Sequence, residues 1–419
     1  MDLLNYSQGE GDAMKDDDLN EVEKHSMSYD MPIVGTLIND VINKYESMGL
    51  TKNQFCQIIQ IDNKGWDRII DKKHQKMDVT TLIKLSQFLN IEIAQAIKIY
   101  ITDADDTIKK DLESFKKYNY ITNQFDLKAL KKLGFIDTIK DLNLIENKII
   151  EFFQLENIYE YSSLDIPSLY SKSKFYQSDK MLRFWNGLVR KQLNSIDNPN
   201  QYNEKSLLTL MPKMREATLN VENGFRNFIK ALFECGVTVI VETYISGTSI
   251  RGGTFSLNRK PFIVLTNFNK RYDSLWFALA HELCHVINDF DEISQRGYHL
   301  TGDNELLMDQ LQEDIADNFA CRIFISDENA KLIEKFISID SIVTQYAKEW
   351  NVHPSFVYGN YLYKKSSADE YKKYRKKIID SSPAIKTIEV KEPWMKKSIQ
   401  ETIASISKSL NEQMPILSY

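Results

Sequence analysis

No apolar run in this 419-residue sequence approaches the ~20 residues that a helix needs to cross a bilayer, so no helical membrane protein is expected. Nor does the chain open on a charged stretch followed by an apolar one; its start is acidic, and no secretory leader is expected. Cysteine is scarce. Cys56, Cys235, Cys284 and Cys321 make no C-x-x-C pair and no closely spaced framework, which points to reduced thiols in a cytoplasm. Positive charge is not in excess either: 53 Lys and Arg stand against 59 Asp and Glu, a net −6. That balance excludes broad, charge-driven binding of nucleic acid, so any DNA contact must be local to one module. The stretch from about Asp103 to Val221 shows no internal repeat, and the chain is too long for one small core, which predicts two to three domains.

Histidine is scarce as well, with 6 in the chain, and two of them fall in His281-Glu282-Leu283-Cys284-His285. The flanking runs, Ser274 to Ala280 and Val286-Ile287, contain no Gly or Pro, so the segment reads as one helix. Residues four apart share a helix face. His281 and His285 can therefore offer two imidazoles to one Zn²⁺, with Glu282 beside the metal to take a proton from water. Chance would produce such a spacing in about 1% of sequences this poor in His. The bland alternative is a buried amphipathic helix whose histidines are satisfied by hydrogen bonds.

A catalytic zinc takes three protein ligands and keeps the fourth position open. The segment Glu313 to Ile325 is helical by pattern, with apolar residues at Ile315, Ala316, Phe319, Ala320 and Ile323. Glu313 is the third ligand expected here, and Asp317, one turn on, is placed to hydrogen-bond a ligand imidazole and orient it. Asp314 reads as a solvated acid.

These residues bring a family into view. Phe277-Ala-Leu-Ala-His-Glu-Leu-Cys-His-Val-Ile287, followed by Glu313-x-x-Ala-Asp-x-Phe-Ala320, resembles the ImmA/IrrE family of zinc metallopeptidases, which are gluzincin-like and act on repressor proteins. Ile250-Arg-Gly-Gly-Thr-Phe, Pro261-Phe-Ile-Val-Leu-Thr and Asn351-Val-His-Pro-Ser-Phe-Val-Tyr-Gly359 resemble the branch with an N-terminal helix-turn-helix, often labelled HigA-type antitoxin or regulator. The likeness covers roughly residues 35–100 and 120–365, with specific motifs only in 250–360. Cys284 departs from it, because Gly or Ala is usual there. On a helix its thiol points about 100° away from His285, so it is not read as a ligand.

Residues 1–32, with Asp16-Asp17-Asp18, form an acidic tail expected to be disordered. Apolar spacing between Val34 and Ile101 gives five short helices, the second opened by a Thr51-x-x-Gln54 capping box and the third entered by a turn at Ile61 to Gly65. With Thr81 to Ile91 closing the fourth, the order resembles an XRE-type helix-turn-helix, a domain over 33–101 whose third helix would enter the major groove. Asn63, Lys64 and Arg68 could then meet base edges, and Lys72, Lys73 and Lys76 phosphates. Asp62, Asp67 and Asp71 sit among them and would repel phosphate, so a partner-binding module without DNA fits too.

The region 102–224 reads as helical, with Lys174-Phe-Tyr and Phe184-Trp185 as core rather than groove, and a loop at Asn194 to Asn203. Strands follow at Val237 to Val241, Thr254 to Leu257 and Phe262 to Thr266. They give the small sheet that a zincin-like (gluzincin-type) metallopeptidase domain over 225–365 would need. Arg251-Gly-Gly253 reads as a turn more readily than as backbone brought up to the site. Tyr298 or His299 either steadies an oxyanion or is simply loop. A C-terminal helical extension, 366–419, ends in an amphipathic helix at Ile399 to Leu410 that is free to mediate assembly. The expected class is thus α+β and mostly helical. Two functions fit it. One is a DNA-binding regulator fused to a zinc endopeptidase that cuts a protein such as a repressor. The other is a HigA-type antitoxin or repressor in which the peptidase fold binds a partner such as a toxin. Expected partners are operator DNA and that protein, with a homodimer left open and no membrane.

Overall fold

The computed structural model describes residues 36–71, 77–103, 106–164, 179–248, 250–296 and 305–411. The acidic tail, Lys72, Lys73, Lys76, Lys174-Phe-Tyr, Tyr298 and His299 lie outside the described residues. The described chain is mostly helical with one mixed four-stranded sheet, and no described helix is long and apolar enough to cross a membrane. It forms two compact units, Met1–Lys116 and Lys117–Tyr419.

In the first unit five helices follow one another: α1 (Leu37–Ser47), α2 (Lys52–Ile59), α3 (Asn63–Ile70), α4 (Val79–Leu89) and α5 (Ile93–Asp103). Side-chain caps start four of them. Thr36, Thr51, Asp62 and Asp78 each accept a backbone N–H three residues on, and Thr51 with Gln54 closes the capping box that the sequence predicts. The Asp62 cap starts α3 at Asn63, so Lys64 and Gly65 are helical rather than part of a lead-in turn. The core is aromatic at its centre. Phe55 lies 4.8 Å from Tyr45, 5.0 Å from Trp66 and 4.9 Å from Phe88, ring centroid to centroid.

The second unit is built around the sheet, of strand order β2-β3-β1-β4: β1 (Thr238–Glu242), β2 (Gly252–Leu257), β3 (Lys260–Thr266) and β4 (Glu389–Val390). β1 runs parallel to β3 and to β4, whereas β2 pairs antiparallel with β3 and forms one edge. β1 and β3 are buried on both faces, which explains their almost unbroken apolar sequence. Val239, Val241, Ile263 and Leu265 face a core with α6 (Gly224–Glu234) and α7 (Tyr272–Asn288). Ile240, Phe262 and Val264 face the opposite core. That second core holds Phe152 and Phe153, then Phe184 and Trp185, and finally Ile399, Ile403 and Ile406. Residues from 121–196 and from the C-terminal helix α8 (Ile399–Asn411) thus share one core on one face of the sheet. Ile399, Ile403 and Ile406 of α8, the helix that the sequence leaves free to mediate assembly, pack into this core within the chain.

Candidate metal centre

The motif helix α7 is almost entirely buried, with Leu275, Trp276, Leu279, Leu283 and Val286 in the first sheet core. Its start is fixed by Asp273, which pairs with Arg271, and Gly359 lies so close to this carboxylate that a Cβ there would collide with it. The next long helix, α9 (Glu305–Phe324), packs along α7 through Ala316 and Ala320, which are both fully buried. Ile315, expected on that inner face, is instead exposed, because the face is set by Ala316 and Ala320. Asp314 is exposed as expected.

This packing brings Glu313 to the two histidines. His281 Nε2 and His285 Nε2 are 3.2 Å apart, and Glu313 reaches them with Oε2 at 3.3 Å and Oε1 at 3.4 Å respectively. The group is buried at both histidines and has the donors to hold a metal ion. Each imidazole has a carboxylate behind it. His281 Nδ1 donates to Asp317 Oδ1 at 2.9 Å, and Tyr363 donates its hydroxyl to Asp317 Oδ2 at 2.9 Å. His285 Nδ1 donates to Asp289 Oδ2 at 2.7 Å. With each Nδ1 held by a carboxylate, Nε2 is the atom left to ligate a metal ion once it gives up its own proton.

The electrostatics favour positive charge. Burial pushes His281 and His285 down, but their carboxylate partners outweigh it and lift them to about 10 and about 9. Burial pushes Glu313 up, and its two histidine contacts outweigh that to hold it at about 2. Glu282 is fully buried beside them, and burial raises its carboxyl above the ordinary value despite the two histidines. Its Oε2 accepts from Thr254 Oγ1 at 2.8 Å, while Oε1 is buried with no hydrogen-bond partner.

One sequence reading changes here. Gly252 and Gly253 are not a turn but the first residues of β2, paired with Leu265 and Val264. A Cβ on Gly252 would come 2.9 Å from Glu282 Oε1, so this is the close backbone approach that the sequence left as the lesser reading. Asp289 and Tyr363 were not singled out. Asp289 follows His285 by four residues, a spacing that could have found it. Tyr363 comes from a separate helix, α10 (Pro354–Lys365), and no local pattern announces it. Cys284 stays outside the ligand set: Asn288 donates to its Sγ at 3.1 Å, and burial pushes the thiol up to about 11.

On α3 of the first unit, Asn63, Lys64 and Arg68 are all exposed. Of the nearby acids, Asp62 is occupied as the cap and Asp67 pairs with Lys52. No family model, curated protein or solved structure matches the chain.

Proposed function

We propose that the chain is a zinc-dependent endopeptidase of the ImmA/IrrE type, joined to a DNA-binding helix-turn-helix module. The observation that carries this reading is the convergence of the three donor groups. Metal–ligand distances of ~2.0–2.1 Å in a tetrahedral zinc site put neighbouring ligand atoms about 3.3 Å apart. The two Nε2 atoms are 3.2 Å apart, and Glu313 approaches His281 with Oε2 at 3.3 Å and His285 with its other oxygen, Oε1, at 3.4 Å. Two imidazoles and one carboxylate match the donor set of catalytic zinc and leave a fourth position for water or substrate. Zinc held there would polarise a peptide carbonyl and make water acidic enough to react near neutral pH.

The remaining work falls to the chain. Thr254 fixes Glu282 through Oε2, so the unpartnered Oε1 is the atom that takes a proton from the attacking water and returns it to the leaving amine. Gly252 keeps the space beside that oxygen clear. Asp317 and Asp289 hold the imidazoles in the ligating tautomer. β2, at the edge of the sheet and against Glu282, offers backbone pairing to an extended peptide. That geometry suits a flexible segment of a protein, such as a repressor. Exposed Asn63, Lys64 and Arg68 on α3, with Asp62 and Asp67 engaged elsewhere, support delivery to an operator.

Glu282→Gln tests the reading. The variant should keep one zinc per chain and its fold, yet lose about 10²–10⁴-fold in hydrolysis of a peptide library by mass spectrometry. Undiminished cleavage would remove Glu282 from the chemistry. The second reading, a HigA-type repressor or antitoxin using this fold to bind a partner, gains if promoter repression or toxin neutralisation survives in that variant untouched.

A further inference from the structure

Asp317, the carboxylate behind His281, is held from both sides. Its Oδ1 accepts from His281 Nδ1 at 2.9 Å, and its Oδ2 accepts from the Tyr363 hydroxyl at 2.9 Å. The Asp317 side chain is 34% exposed, so packing alone does not fix it. The carboxylate behind His285 is held less closely: Asp289 Oδ1 meets the Gln312 amide at 3.3 Å, and that amide also lies 3.4 Å from Glu292.

Tyr363 reaches Asp317 because α10 lies in step with α7. Gly359 packs against Asp273, where a Cβ would come 1.9 Å from Oδ2. Four residues on along both helices, the Tyr363 ring lies 5.5 Å from that of Phe277, which is itself 6.4 Å from the His281 ring. Residues four apart share a helix face, so Gly359 and Tyr363 belong to one face of α10, and Asp273, Phe277 and His281 to one face of α7. This register is tied at both ends. Arg271 pairs with Asp273 at the start of α7, while Lys364 and Lys365, next to Tyr363, pair with Asp327 and Glu334 of the helix Asp327–Glu334. Phe356, Val357 and Leu362 bury the inner side of α10 in the first sheet core. Tyr363 itself is 46% exposed, where water could satisfy its hydroxyl, yet the hydroxyl is directed at Asp317.

We propose that Tyr363 is a positioning residue of the metal centre: through Asp317 it fixes the direction in which His281 offers Nε2 to the metal. The inference deepens the zinc peptidase reading and rests on its metal. A carboxylate behind a ligand imidazole sets the ring's orientation and basicity, and its loss weakens metal binding about 10–100-fold. Tyr363 stands one hydrogen bond further out, so the loss of its hydroxyl should weaken binding less, by roughly three- to tenfold.

The test uses the full chain. Competition with a chromophoric chelator reads zinc affinity, and the visible spectrum of the Co²⁺-loaded protein reads ligand geometry. Tyr363→Phe keeps the ring and removes only the hydroxyl. It should weaken zinc by that factor and shift the cobalt bands, while the melting temperature of the metal-free chain changes little. Tyr361→Phe is the control, since the Tyr361 hydroxyl donates to Glu370 at 2.7 Å; it should leave both readings as in wild type. In an Asp317→Ala background, Tyr363→Phe should weaken zinc no further, because its effect runs through Asp317. Wild-type affinity and spectrum in Tyr363→Phe, an equal loss in Tyr361→Phe, or a fully additive loss in the double variant would overturn the proposal. Cleavage of a peptide library by the same preparations separates it from the reading beneath it. Tyr363-dependent zinc binding with no cleavage by wild type defeats the peptidase reading alone. Cleavage by wild type, with zinc affinity indifferent to the Tyr363 hydroxyl, defeats the Tyr363 assignment alone. A chain that binds no zinc overturns both.

Discussion

Glu242 is a buried acid that the metal centre does not use. It closes β1, is 1% exposed, and accepts from the Gln192 amide. Burial lifts its carboxyl from 4.5 to about 7, with the Gln192 bond pulling the other way. Between those values the folded chain keeps a proton that the unfolded chain has released, so stability falls as pH rises through that window and is level above it. The loss is on the order of 3 kcal/mol once Glu242 is charged. Glu242→Gln should therefore raise the melting temperature clearly at pH 8 and little at pH 5; equal shifts at both would refute this. Nothing in the sequence marks Glu242, since an acid ending an apolar strand looks like any solvated strand end. His281, Glu282 and His285 were legible because one helix carries them at a fixed spacing. Glu313 was legible because a catalytic zinc needs a third ligand. Tyr363 and Thr254 were not, because their roles depend on which separate elements the fold places against Asp317 and Glu282.

The contact between β2 and α7 is where two elements, rather than two residues, position Glu282. A Gly-Gly pair has little strand preference, so local sequence favours a turn, yet the strand needs Gly252 to lie against Glu282. A methyl at this position would meet Glu282 Oε1 at 2.9 Å and Leu265 Cδ2 at 3.0 Å. Gly252→Ala should leave the sheet and the bound zinc in place but displace the carboxylate, lowering kcat by up to ~100-fold. Unchanged kcat in that variant would mean that the strand does not position Glu282. α7 was readable because no Gly or Pro interrupts the run from Ser274 to Ile287, and the capping box of α2 was readable from Thr51 and Gln54. β4 was not, because Glu389 and Val390 are strand only through pairing with Val241 and Glu242.

At the scale of the molecule, the five N-terminal helices carry their own aromatic core, while the second unit carries two cores on opposite faces of one sheet. The sequence reads 102–224 and 366–419 as regions apart from the sheet. Their packing depends on Phe184, Trp185 and Ile403 meeting Val264 and Phe262 across long stretches of chain, which local periodicity does not reveal. Because both of these cores use the same strands, they should unfold together, and calorimetry of the zinc-loaded chain should give two transitions rather than three. All three metal donors lie in the second unit. Under the zinc reading proposed above, the metal at a hundred times its dissociation constant would stabilise that unit by about 2.7 kcal/mol, so EDTA should lower one transition only. Thr51→Ala opens the capping box of α2 at a cost of about 1 kcal/mol and should lower only the other, by roughly 4–8 °C. If a single transition moves under both perturbations, the units unfold as one body, and the metal centre is coupled to the helices that carry Asn63, Lys64 and Arg68.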